Sequence, residues 1–196
     1  MKLSKGKKLL ILGILLVVVD QVIKILVKTN MDLGDTINVI GDWFRLHFVL
    51  NDGMAFGMAF GGVAGKLILS LFRVGLFALL VWWIRKLLKR QDVPTGVLVG
   101  LTLITAGAVG NIVDCFFYGL IWPETAMPDA PFALLFGQVV DMFYFPLFDY
   151  QLPWMDHPQV FFGAVFNFAD ACVTCGALYL LFFQYKFFAK EDKEKK

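Results

Sequence analysis

The chain has 196 residues, of which 59% are hydrophobic and only 17% charged, and its mean hydropathy is +0.71. A water-soluble domain carries roughly 45–50% apolar and ~25% charged residues, so that class is excluded, together with disorder, collagen and a small disulfide scaffold. The net charge of +2 is small and no segment reads as a nucleic-acid footprint, which leaves a single small polytopic membrane domain over residues 1–196.

Four windows read as spans in chain order, roughly 9–27, 67–84, 97–120 and 160–183. Each reaches the ~18–20 residues that cross a hydrocarbon core of ~30 Å. The alternating ten-residue segments of a membrane barrel are absent from them, so the fold class expected is an all-α polytopic membrane protein with four transmembrane helices. The first window follows a basic stretch, as a signal peptide does. No small-x-small cleavage site follows it, however, and the run continues through Asp20, Gln21 and Lys24 to Val27, so a retained helix is expected.

Between the first two windows, residues 28–66 contain a strand signal at Phe44–Leu50 and a turn signal at Asn51-Asp52-Gly53. Between the last two, residues 121–159 are dense in Phe, Pro, Trp and Tyr and read as an interfacial aromatic insert. Trp43, Trp122 and Trp154 suit one interfacial belt and Trp82 and Trp83 the other.

Basic residues cluster before the first window (Lys2, Lys5, Lys7, Lys8), between the second and third (Arg85, Lys86, Lys89, Arg90) and after the fourth (Lys186, Lys190, Lys193, Lys195, Lys196). Residues 119–159 hold no Lys or Arg but carry Glu124, Asp129, Asp141, Asp149 and Asp156. The positive-inside rule puts both termini and the 85–96 loop in the cytoplasm and the two long loops outside. The tail Lys186–Lys196 reads as a solvated cytoplasmic end.

Ionisable residues within spans cost about 2.5–3.5 kcal/mol each on insertion scales and are functional candidates by default. Here they are Asp20, Lys24, Arg73, Asp114 and Asp170, with Asp141 near the outer interface. Asp20 and Lys24 stand at i, i+4 in the order that favours an ion pair, and Arg73 suits helix packing or snorkelling. Asp114, Asp141 and Asp170 all fall toward the same side, each near an amide or a glycine. Asn111–Asp114 and Asn167–Asp170 repeat an i, i+3 spacing that puts amide and carboxylate on one helix face. Two carboxylates sharing a low-dielectric site divide one proton between them, so one serves as base and the other as acid.

Other chemistries find little support. His47 and His157 form no zinc pattern. Cys115, Cys172 and Cys175 read as small packing residues, and the glycines of Gly100–Gly110 as close helix packing rather than phosphate binding.

Five blocks together resemble the lipoprotein signal peptidase, or signal peptidase II, family of bacterial inner-membrane aspartic peptidases. They are Asp20-Gln21-Val22-Ile23-Lys24, Asn51-Asp52-Gly53-Met54-Ala55-Phe56-Gly57, Gly110-Asn111-Ile112-Val113-Asp114, Val140-Asp141-Met142-Phe143 and Phe166-Asn167-Phe168-Ala169-Asp170. The resemblance implies that Asp141 and Asp170 are catalytic. It implies that Asp20, Lys24, Asn51, Gly53, Asn111, Asp114 and Asn167 shape the site and hold substrate. The implied reaction cuts a diacylglyceryl-modified prolipoprotein just before its lipid-bearing cysteine, at the outer face of the inner membrane. No metal or cofactor, no nucleic acid, and a monomer among membrane lipids are expected.

Loop 36–60 is expected to clamp substrate, with Phe44, Phe48 and Phe56 as apolar contacts. Two departures stand out. Cys115 takes the place where the family usually has arginine, with Arg45 as a candidate substitute, and the aromatic insert lengthens the connection to Asp141. Competing readings are an ion-coupled carrier, which calls for inverted repeats, a non-catalytic adaptor with an acidic outer loop, and a metal-dependent phosphotransferase, which calls for a denser aspartate cluster.

Overall fold

The computed structural model describes residues 3–53, 62–152, 154–155 and 157–194. In chain order they form α1 (Lys5–Asn30), β1 (Thr36–Ile40), β2 (Phe44–Asn51), α2 (Gly62–Leu88), α3 (Thr95–Val113), β3 (Val139–Tyr144), β4 (Phe148–Tyr150), β5 (Gln159–Phe161), α4 (Phe168–Phe183) and α5 (Tyr185–Glu194). α3 continues through a π-helical turn, Asp114–Tyr118, into a last short turn, Gly119–Ile121. Among the described residues three helices are long and apolar enough to cross a membrane: Lys5–Asn30, Gly62–Leu88 and Thr95–Ile121. α4, with 16 residues, is a shorter apolar helix of about 24 Å at 1.5 Å per residue.

The chain divides into two compact units. The first comprises Met1–Gln21, Ile68–Val113 and Phe168–Lys196. Its core is Leu9, Leu80, Leu87, Val97, Leu98 and Leu101, flanked by Trp83, Leu180 and Phe187. α3 is the buried helix of this unit, whereas α1 and α2 leave apolar faces such as Leu10, Ile14 and Leu71, Phe72 exposed, as lipid-facing helices do.

Glycines let α3 and α4 pack this closely. A Cβ at Gly107 would land on the Ala169 carbonyl oxygen, and one at Gly176 would press on the Gly100 carbonyl. Two differences from expectation appear in this unit. The tail is a helix, α5, whose Phe187 and Phe188 pack against the core. The last apolar helix starts at Phe168, not near 160.

The second unit comprises Val22–Leu67 and Asp114–Asn167. It holds an antiparallel sheet of order β1-β2-β3. β2 is one residue longer than the strand signal at Phe44–Leu50 and is rich in the aromatic and branched residues that suit a pleated surface. Val49 faces Asp141 and Asn51 faces Val139 across the β2–β3 ladder, so these four side chains share one face of the sheet.

Residues 159–161 belong to this unit as β5, paired with β4, and Phe148 stacks on Phe161 at 4.7 Å. Further on, Phe166 bridges Phe143 through backbone bonds in both directions. A hydropathy window cannot separate such apolar extended chain from the helix that follows it. Phe145 stacks on both Phe44 and Phe166, sealing this end of the sheet with aromatic rings.

Candidate active site

β3 carries Asp141 into the second unit with only 1% of its surface exposed. Each of its carboxylate oxygens accepts an amide N–H. Asn51 Nδ2 donates to Oδ2 at 2.9 Å and Asn167 Nδ2 donates to Oδ1 at 2.6 Å. The Asn51 amide is itself oriented, because its Oδ1 accepts the Gly53 N–H at 2.8 Å. Gly53 sits at φ +96°, a conformation that a side chain resists. The turn signal Asn51-Asp52-Gly53 is therefore a side-chain-closed turn whose free end is the amide aimed at Asp141. Beside it, Gln138 Nε2 donates to Asp52 Oδ1 at 2.9 Å.

Asp114 opens the π-helical turn and is fully buried, as is Lys24. Lys24 Nζ lies 2.8 Å from Asp114 Oδ2, and the same oxygen accepts the Val140 N–H at 3.2 Å. One carboxylate thus neutralises a buried lysine and holds the backbone directly before Asp141. The turn's wider winding is typical of functional sites. Its Cys115 carbonyl accepts the Gly137 N–H at 3.0 Å, and a Cβ at Gly137 would strike the Asp114 carbonyl oxygen. Only glycine lets the chain pass there.

Sequence reasoning missed Lys66. It is 2% exposed, and its Nζ lies 3.8 Å from Cys115 Sγ. A buried ammonium therefore stands beside the residue that departs from the family's usual arginine. The signal was present, since Lys66 lies inside the apolar helix Gly62–Leu88, but a window begun at the first apolar residue leaves it outside. Arg45, the candidate substitute, donates Nε to the Asp42 carbonyl and approaches the Asp42 carboxylate at the β1–β2 turn.

The first unit holds the other expected residues. Asp170 lies in the first turn of α4, half-buried. Asn111 Nδ2 donates to its Oδ1 at 2.8 Å. Asp20 Oδ1 accepts the Ala169 N–H at 2.8 Å, so a residue of α1 caps the N-terminus of α4. Gln21 Nε2 donates to Asp20 Oδ2 and to the Gly110 carbonyl. A Cβ at Gly110 would collide with the Asp20 carboxylate, which explains the glycine before Asn111.

Every buried side-chain nitrogen and oxygen among the described residues has a partner. Among those residues no group of three His, Cys, Asp or Glu is arranged to hold a metal ion. Met54-Ala55-Phe56-Gly57 of the second block, including the apolar contact Phe56, and Asp156 lie outside the described residues.

The family described as signal peptidase (SPase) II matches residues 12–186. The lipoprotein signal peptidase of Porphyromonas gingivalis is 43% identical, with 92% of this chain and 84% of that protein covered. The lipoprotein signal peptidase of Amoebophilus asiaticus is 37% identical, with 84% and 72% covered. A solved bacterial membrane enzyme shares the fold at a TM-score of 0.62 and 22% identity, with 97% of this chain and 92% of that one covered.

Proposed function

The chain belongs to the signal peptidase II family, and from that premise we propose that it is an aspartic endopeptidase whose catalytic carboxylates are Asp141 and Asp170. It is a multi-pass membrane protein. Its substrates are diacylglyceryl-modified prolipoproteins, cut before the lipid-bearing cysteine. The observation that carries the site assignment is the pair of amides on Asp141. An N–H donated to each oxygen holds this carboxylate in one orientation.

In the reaction Asp141 takes a proton from water as the water oxygen attacks the scissile carbonyl carbon, and protonated Asp170 gives its proton to the carbonyl oxygen, forming a gem-diol. The gem-diol then collapses: one of its hydroxyls returns a proton to Asp170, the C–N bond breaks, and Asp141 passes the proton it took from water to the leaving amine. Asn51 and Asn167 orient Asp141, and Gly53 orients Asn51. Asp114 with Lys24 fixes the strand, and Asn111 holds Asp170 at the α4 end that Asp20 caps. No metal or organic cofactor takes part.

The remaining proposals concern topology. Four helices cross the inner membrane, both termini are cytoplasmic, and the site lies at the outer face where the lipid-bearing cysteine is presented. The protein works as a monomer. Basic residues at the start of α1 and around the α2–α3 connection, and their lack in residues 119–159, support this sidedness.

The test is cleavage of a diacylglyceryl prolipoprotein in detergent by wild type, Asp141→Asn and Asp170→Asn. Cleavage by wild type and by neither well-folded variant is expected. Cleavage surviving in either variant would sink the assignment of that aspartate. The rate is also expected to follow a bell-shaped pH profile whose two apparent pKa values belong to the pair.

A further inference from the structure

The first unit carries a trough that the peptidase chemistry does not use. It has a volume of about 590 Å³ and runs from Gly6 to Val18 on α1, walled by Phe77, Val81 and Leu88 of α2 and by Thr102 and Ala106 of α3. At 1.5 Å per residue that course is ~18 Å, close to one leaflet of a ~30 Å hydrocarbon core. The walls are apolar. The hydroxyls of Thr102 and Thr105 donate to carbonyls of their own helix at 2.7 Å, so neither presents a donor to an occupant. Gly6 approaches Leu88, and Arg85 lines the trough at that same end. Lys5, Lys7, Lys8 and Lys86 stand exposed on the adjoining turns.

We propose that this trough binds one acyl chain of an anionic phospholipid, with the headgroup phosphate held by Arg85 and the lysines around it. Basic pockets between membrane helices take such headgroups. The charge argues against the other natural occupant, the helix of a signal peptide. Such a helix would bring the basic n-region of a signal sequence against Arg85 or would lie antiparallel to its required direction. An acyl chain carries no such conflict, and its phosphate complements the basic end.

The experiment is native mass spectrometry of the full chain in detergent, titrated with phosphatidylglycerol or with phosphatidylcholine of the same acyl chains. Wild type is expected to retain phosphatidylglycerol preferentially. Arg85→Gln, at an exposed position, is expected to weaken retention about fivefold. Gly13→Phe, which fills the trough beside Thr102, is expected to weaken it about tenfold or more. Prolipoprotein cleavage by Arg85→Gln stays at the wild-type level. Equal retention of the two lipids by wild type, or wild-type retention in folded Arg85→Gln, overturns the proposal. Should Gly13→Phe fail to fold, Arg85→Gln alone decides.

Discussion

Asn51 and Asp141 meet across neighbouring strands, amide nitrogen to Oδ2 at 2.9 Å, while the Asn51 oxygen is occupied by the Gly53 N–H. The asparagine therefore cannot turn its amide over without losing two bonds. A hydrogen bond to a charged group contributes about 1.5–3 kcal/mol. Asn51→Ala and Asn167→Ala are each expected to lower kcat about 10- to 150-fold with a smaller effect on KM. Steady-state cleavage kinetics check this, and an unchanged kcat in both variants refutes the orienting role.

Lys24 and Asp114 are both fully buried. Removing one partner of such a pair leaves an uncompensated charge and costs about 3–5 kcal/mol. Lys24→Met is expected to lose that much, and Lys24→Met with Asp114→Asn to lose less than the sum of the two single variants. Unfolding in detergent measures the coupling; additive losses would contradict a direct pair.

Lys66 places a buried ammonium at Cys115. Cys115→Arg then brings two cations together in a tight, low-dielectric space and is expected to destabilise the protein. Lys66→Ala in the Cys115→Arg background removes one charge and makes room, so it is expected to restore part of the loss. A coupling of about 0.5–3 kcal/mol in a double-mutant cycle is the expected result, and a coupling near zero refutes it.

Lys28 pairs with Glu124 at 2.8 Å. The Lys28 hydrogen bond, and then a backbone one, hold the Glu124 carboxyl below its ordinary value of 4.5, against a smaller opposing effect of burial. A carboxyl whose folded value is lowered adds stability above its unfolded value, and loses it as pH falls through the folded one. Glu124 is 59% exposed, so salt screens the effect. A carboxyl NMR titration is expected to place Glu124 below 4.5 and to move upward in Lys28→Met; no movement would show the pair to be idle.

Gly107→Ala would set a Cβ onto the Ala169 carbonyl oxygen. Overpacking of this kind costs about 1–3 kcal/mol. A lowered Tm is expected, whereas Gly75→Ala, where a Cβ meets nothing within 4 Å, leaves Tm near or above that of wild type.

Much of this was legible in the chain. The first window fell inside Lys5–Asn30 and the strand signal inside Phe44–Asn51, because long periodicity and local propensity act over neighbouring residues. Glycines read as helix packing between Gly100 and Gly110 do let α3 approach α4. What sequence spacing missed was long-range. The i, i+4 rule offers Lys24 a partner on its own helix, yet its 2.8 Å contact is with Asp114 on another element. Apolar content placed residues 160–167 in a span, but Val160 and Phe161 find strand partners and Phe166 a bridge to Phe143, and no local rule names those partners. Lys66 looked like a boundary residue because its neighbour Cys115 lies far along the chain.

The double duty of Asp114 also affects genetics. A screen scored only on lipoprotein maturation would recover Asp114 alleles among the dead ones, beside alleles of Asp141. The null phenotype would arise from a strand that has lost its anchor at Val140 and a lysine that has lost its counterion. Phenotype alone would therefore count Asp114 with the two acids of the proposed chemistry. Protein abundance separates them, since Asp141→Asn alleles should accumulate as intact protein and Asp114→Ala alleles should be cleared by cellular quality control.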